Sequence, residues 1–399
     1  MVFPDSAKRL ARRLTIALRS RLLLVVLACC LCAALAAFLI PRGSAHEPLR
    51  PKSSVRDRRP AVQAESAIML EARSGTVLWA KASDRRLPPA SCTKIMTALI
   101  VLERVHNLQL YATVPQIHLP QTVGIGLLPG ERITIEQALR ALMVKSANDA
   151  ALTLAAYVAG DEPSFVRLMN ARARELGLSR THFENSRGTT SPEHLSSARD
   201  LATLGRFAMQ DARFRKLAGL STATIRWPPA NAVVVTSHNR LLNYPWGTGV
   251  KTGATAEAGA VLVGSGRPGL VPLIVVTMRE PSRDQEVSDA VGLFAWGSAQ
   301  YARTTLVSPG EVVTTVRLAG GGQVDLAAAT SLSAVVRKAA VVTVRCATPA
   351  RLRHLPAAGT QIGRAGYWAD GVRVGRVALV VAGGSASPSP SGGDALTAP

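Results

Sequence analysis

A serine and a lysine stand three residues apart in the run Pro88-Pro89-Ala90-Ser91-Cys92-Thr93-Lys94-Ile95-Met96-Thr97-Ala98. On a helix that spacing puts both side chains on one face, close enough to meet. The two prolines cannot sit inside a helix, so they place Ser91 near the first turn of a helix predicted from Ser91 to about Val105. Free N–H groups and the positive end of the helix dipole favour developing negative charge there. The pair is a nucleophile with an amine as candidate base. Ser-x-x-Lys is common by chance, and its weight depends on the rest of the chain.

Two further stretches give it partners. Ser146-Ala147-Asn148 lies 55 residues after Ser91, between two helical segments, where a hydroxyl and a carboxamide in a turn can face one cleft. Lys251-Thr252-Gly253 precedes strand-like sequence. A strand edge with a lysine, a hydroxyl and a glycine offers a cation for a carboxylate and room for close backbone approach. Singly, the first reads as a helix cap and the second as an exposed turn. Together, in order and in compatible elements, the three motifs argue for a catalytic cleft. The chain has 8 lysines against 39 arginines, yet keeps lysine at Lys94 and Lys251. Arginine stays protonated at any working pH and cannot serve as a base, which adds weight to Lys94.

The elements that must position these groups follow from pattern. Ala67–Leu70 and Thr76–Trp79 flank Ser74-Gly75 as a hairpin. Thr134-x-x-Gln137 has capping-box spacing ahead of an apolar helical face at Ile135, Leu139, Leu142 and Met143. Ala150–Val158 continues helically, and further helices are predicted at 163–176, 197–209 and 285–302. Strand patterns begin at Val233 and include Ala260–Gly264 and Val271–Thr277. Helices around strands imply an α/β layered domain over 65–302. From 306 to 382 the runs are short and β-branched, with glycine turns at Gly320–Gly322 and a hairpin at Asp370-Gly371, implying a small all-β domain. Residues 383–399 are a Gly/Ser/Pro-rich tail expected to be disordered.

The N-terminus carries an address. Residues 22–40 are nineteen uncharged, Leu/Val/Ala-rich positions preceded by the basic segment 1–21. That length suits a membrane anchor with a cytoplasmic N-terminus, or alternatively a cleaved signal segment ending near Gly43-Ser44-Ala45. Either way the remainder is extracytoplasmic, joined by a polar, proline-containing linker at 41–64. The formal charge of +21 favours polyanionic surroundings such as acidic lipid or an anionic wall polymer. Its arginines are scattered and no nucleic-acid module is recognisable, so no nucleic-acid partner is expected. Three of five cysteines lie in the apolar run, leaving Cys92 and Cys346. No disulfide framework, metal site or cofactor is expected.

The set Ser-x-x-Lys, Ser-x-Asn, Lys-Thr-Gly resembles the active site of penicillin-binding proteins and serine β-lactamases. Lys145–Ala151, Lys251–Thr255, Phe165–Asn170 running to Glu175-Leu176-Gly177, Thr181–Asn185 and His194–Asp200 narrow it to the low-molecular-weight D-alanyl-D-alanine carboxypeptidases. The resemblance implies a β-lactamase/transpeptidase-like domain, an antiparallel sheet flanked by helices, and a β-rich C-terminal domain that spaces or binds a partner. It implies removal of the terminal D-alanine from peptidoglycan stem peptides, with β-lactams as covalent inhibitors. Ser91 would be the acyl-ester nucleophile, Lys94 the base, Ser146 a proton relay, and Asn148 a holder of substrate or of Lys94. Lys251 and Thr252 would bind the terminal carboxylate, with Arg283 a further candidate. Gly253 would allow close approach, and Ala254 would share the oxyanion hole with the Ser91 N–H. Cys92 and His194 would serve packing. Cys92 and Ala254 depart from the residues frequent at those places, and the tail lacks the family's amphipathic helix.

Three alternatives share the motifs, one of them transpeptidation or endopeptidase cleavage of cross-links by the same residues. A class A-like β-lactamase needs a separate deacylating carboxylate, for which Glu162, Glu175 and Glu184 lie in range without the expected Glu-x-x-x-Asn. A non-catalytic wall-binding protein would have let the motifs decay.

Overall fold

The computed structural model describes residues 60–116 and 123–383. The basic segment 1–21, the apolar segment 22–40, residues 41–59 of the linker and the tail from residue 384 lie outside them. Among the described residues no helix is long and apolar enough to cross a membrane.

β1 (Ser66–Glu71) and β2 (Val77–Lys81) form the hairpin expected around Ser74-Gly75. A single 3₁₀ turn, Ala90–Thr93, then leads into α1 (Lys94–Arg104). The helix predicted from Ser91 is corrected here: the serine sits in the tighter turn and the α-helix begins at the lysine. β3 (Tyr111–Thr113) pairs with β4 (Arg132–Thr134). Thr134 then caps α2 (Ile135–Arg140), its Oγ1 accepting from Gln137 N at 3.3 Å, as the capping-box spacing implied. α3 (Asn148–Ala159), α4 (Glu162–Glu175), α5 (Ala198–Ala208) and α6 (Ala212–Ala218) follow. The last was not anticipated, since Asp211 caps only seven residues.

β5 (Thr222–Trp227) and β6 (Asn231–Thr236) make a separate hairpin. β7 (Gly247–Thr255), β8 (Gly259–Gly266) and β9 (Leu273–Glu280) join the first two strands in one antiparallel sheet of order β2-β1-β9-β8-β7. β7 is therefore an edge. α7 (Arg283–Gln300) covers one face of this sheet. Alternation along each strand explains why both faces are apolar. Ile68, Val261, Val263, Ile274 and Val276 enter the core shared with α1 to α5. Met69, Leu262, Leu273 and Val275 point the other way, against Phe294 and Leu293 of α7. The result is helices, sheet and helix in three layers.

Helix α7 ends at Gln300, so residues 301–302, expected as helix, belong instead to β10 (Tyr301–Val307). β11 (Val312–Leu318), β12 (Gln323–Ala328), β13 (Leu332–Arg337), β14 (Val342–Ala347), β15 (Arg351–Leu352), β16 (Gln361–Ala369) and β17 (Val372–Val381) complete the chain. Six of them form a sheet of order β14-β16-β17-β12-β11-β15, while β10 pairs with β13. Val324, Leu326, Tyr367, Val377 and Leu379 are the centre of its core. At the β16–β17 hairpin, Asp370 and Gly371 both take positive φ, 48° and 80°, the twist that a two-residue turn between right-twisted strands requires. The Tyr301 hydroxyl donates to Leu78 O at 2.9 Å, tying β10 to β2.

Candidate active site

Ser91 and Lys94 meet as their spacing implied. Lys94 is fully buried, and its Nζ lies 3.0 Å from Ser91 Oγ, 2.8 Å from Asn148 Oδ1 and 2.6 Å from the carbonyl oxygen of Arg187. Burial, followed by the charges of Lys251 and Arg187, drives the amine well below the ordinary lysine range. A neutral amine has two hydrogens and one lone pair. Two of its three neighbours are carbonyl-type oxygens, which only accept. The hydrogens go to them, and the lone pair is left for the one neighbour that can donate, the Ser91 hydroxyl.

The Ser-x-Asn turn is built by a break in helix geometry. α2 widens into a π turn at Ala141–Lys145, and Ser146 ends it in the left-handed region at φ 65°. α3 restarts at Asn148. Ser146 Oγ is buried with no hydrogen-bond partner among the described residues, an unmet donor beside the cleft. Asp149 fixes the turn from behind. Its Oδ2 accepts from the N–H groups of Ile125, Gly126 and Leu127 at 2.9, 3.0 and 3.1 Å.

The third motif lies on β7, the sheet edge. Lys251 is 3% exposed, and its Nζ donates to Thr252 O at 2.9 Å. Burial lowers its ammonium to about 8. A Cβ built on Gly253 would lie 2.7 Å from Ser91 N and 3.2 Å from Cys92 N, so only glycine lets the strand pass over the Ser91 turn. Cys92 packs inside, its Sγ 3.5 Å from Lys251 O, and burial pushes its thiol up to about 12. It is a packed thiol, not a reactive one. Ala254, by contrast, is exposed. Arg283 starts α7, with Nη1 3.5 Å from Glu286 Oε2, and Glu286 is a buried carboxyl raised to about 8 by desolvation.

One wall was missed in the sequence. The loop Asn185–Thr190 supplies the Arg187 carbonyl, and Asn185 Oδ1 shapes it by accepting from Arg187, Gly188 and Thr189 N–H at 3.2, 2.7 and 3.0 Å. Gly188, at φ 87°, lies so close that a Cβ would fall 1.9 Å from Ala90 O. Thr190 Oγ1 reaches Thr255 Oγ1 at 2.8 Å, linking loop to β7. Asn-x-x-Gly is a turn signal that sequence can offer, but a backbone carbonyl as lysine ligand leaves no residue-type trace. His194 Nδ1 accepts from Glu184 N at 2.9 Å, so its proton sits on Nε2, 2.8 Å from Thr93 Oγ1. Burial holds it neutral, at about 4. Of the carboxylates in range, Glu162 accepts from Ser186, Glu175 from Arg172 and Glu184 from Ser191. Among the described residues none of them bonds to Ser91 or Lys94.

A serine on a 3₁₀ turn, a buried lysine amine 3.0 Å from its hydroxyl and a second buried lysine on the strand edge form a site suited to acyl transfer through serine. The S11 peptidase family, described as D-alanyl-D-alanine carboxypeptidase, matches residues 53–282. D-alanyl-D-alanine carboxypeptidase DacF of Bacillus subtilis is 31% identical over 286 residues, covering 70% of this chain and 74% of its own. DacC of Escherichia coli, of the same description, is 31% identical over 281 residues, covering 65% and 67%. Penicillin-binding protein 5 of Haemophilus influenzae superposes with a TM-score of 0.67 at 27% identity, over 82% of this chain and 98% of that one. The chain belongs to the S11 family of D-alanyl-D-alanine carboxypeptidases and is a serine-type hydrolase.

Proposed function

We propose that Ser91 takes up the acyl group of a peptidoglycan stem peptide ending in D-Ala-D-Ala, and that the 65–302 segment is the catalytic domain. The observation that carries these roles is the buried Lys94 amine, 3.0 Å from Ser91 Oγ with its other two partners both acceptors. The Ser91 proton passes to Lys94 Nζ as Oγ bonds to the penultimate carbonyl carbon. The N–H groups of Ser91 and Ala254 receive the oxyanion. Collapse breaks the C–N bond, and the leaving D-alanine amine takes a proton from Lys94 through the Ser146 hydroxyl. Water then attacks the ester and gives its proton to Lys94, and as the C–Oγ bond breaks Lys94 returns that proton to Ser91 Oγ, freeing the shortened peptide acid. Asn148 and Arg187 O aim Nζ. Lys251 and Thr252 hold the terminal carboxylate, and Arg283 adds positive potential. A β-lactam enters by the same route and stays as the ester.

Extracytoplasmic action follows from this substrate. The basic run before residues 22–40 supports an N-terminal anchor, with cleavage after a signal segment as the other form. D-alanine release from a D-Ala-D-Ala peptide by wild type and by Ser91→Ala tests the chemistry, and equal release would sink it. Fractionation of expressing cells tests the anchor, which predicts full-length protein in membranes.

A further inference from the structure

The six-stranded sheet has an outward face that the catalytic cleft does not use. Register sets Arg345 of β14 opposite Gly366 of β16, and Gly366 opposite Arg376 of β17. The rows on either side place Arg364 opposite Ala378, and Trp368 opposite Arg373. Directly opposed residues share a face, so four arginines and one tryptophan project from one side. The alternate positions, Ala365, Tyr367, Val377 and Leu379, fill the core on the other side. All four arginines are exposed. None of them forms an ion pair among the described residues.

The tryptophan is built in. A Cβ on Gly366 would lie 2.6 Å from the Trp368 ring, so the indole lies down across the glycine and the floor stays flat. The Arg345 guanidinium carbon is 5.0 Å from the ring centroid, a cation–π contact that holds the planar fork while leaving edge donors free. Two strand spacings, about 10 Å, separate Arg345 from Arg376 across this floor. Residues 306–382 carry nine Lys/Arg against three Asp/Glu, so the field over the face is positive.

We propose that this face binds the glycan strand of the cell wall, a saccharide chain whose peptide branches end in carboxylates. The inference rests on the reading of the chain as a wall carboxypeptidase. Sugar rings lay their apolar faces on the Trp368/Arg345 platform, and the remaining guanidiniums take the carboxylates as bidentate pairs. A lipid surface would need apolar side chains protruding among the arginines, whereas here Gly366 and Ala378 are short and the indole lies flat. A single-stranded nucleic acid would need a succession of aromatic rings, and there is one. Strands held here keep the catalytic domain among its substrates between turnovers.

The test uses the full chain acylated with penicillin, so that the cleft is closed, and glycan–tetrapeptide strands released from purified sacculi. Wild type is expected to bind them, with Trp368→Ala and the pair Arg345→Glu/Arg376→Glu each weakening binding about tenfold or more. Trp368→Phe should recover most of it. D-alanine release by each unacylated variant from a short soluble peptide should stay at the wild-type level, which separates this surface from the catalytic reading. Equal strand binding by wild type and both surface variants would overturn the proposal. So would Trp368-dependent binding to single-stranded DNA or to anionic phospholipid vesicles in place of the strands.

Discussion

The backbone of Gly253 passes so close to Ser91 that a Cβ on the glycine would stand 2.7 Å from the serine amide nitrogen. That nitrogen is one of the two proposed oxyanion donors, so strand and nucleophile are one unit. Gly253→Ala should push them apart by a few tenths of an ångström or more. We expect acylation by a fluorescent penicillin to slow by roughly 100-fold while the protein stays folded by circular dichroism. Unchanged acylation would show that the contact has slack.

The two lysines should give kcat/KM a bell-shaped pH profile. Lys94 is lowered by burial and must be neutral, so activity rises with pH through its pKa. Lys251 must be charged to hold a carboxylate, so activity falls as pH passes about 8. Lys251→Arg keeps the charge at high pH. If it retains measurable activity, its descending limb should disappear, and a limb that stays at the same pH would assign it to another group.

Ser146 sets function against stability. Its buried hydroxyl has no partner among the described residues, so Ser146→Ala removes an unmet polar group. The variant should melt no lower than wild type, yet lose about 100-fold or more in D-alanine release. A drop in melting temperature with full activity would assign the serine to structure alone.

His194 makes a prediction about acid. Its folded pKa is held near 4 against 6.5 for the free side chain, chiefly by burial. Between those values the unfolded chain binds more protons, so stability is present above pH 6.5 and is lost as pH falls toward 4. The loss from this one group is about 3 kcal/mol. Urea unfolding of wild type and His194→Gln across that window should give a difference that shrinks as pH falls. A constant difference would rule the histidine out as the source.

The motifs were legible because they are side-chain chemistry at fixed spacing. Ser91, Lys94, Ser146, Asn148 and Lys251 could be named from residue types, and helical patterns around strand patterns implied the α/β layered domain. What escaped was backbone. The Arg187 carbonyl is the shortest contact of Lys94, yet any residue at 187 would provide one. The 3₁₀ turn at Ser91 differs from an α-helix by one hydrogen-bond step, which Pro88-Pro89 could not specify. Helix α6 is too short for a periodic signal, and its Asp211 cap reads equally well as a turn residue.

Glycines press on the Ala90–Ser91 backbone from two sides, Gly188 from the loop and Gly253 from the strand. A serine gripped in this way has little freedom to drift under mutation, because a side chain added at either glycine collides with the Ala90–Ser91 segment itself. Ala254 follows Gly253 directly and faces solvent. On the proposed mechanism, heritable variation in what the enzyme accepts has its open ground at that rim position, one residue away from a glycine whose added Cβ would collide.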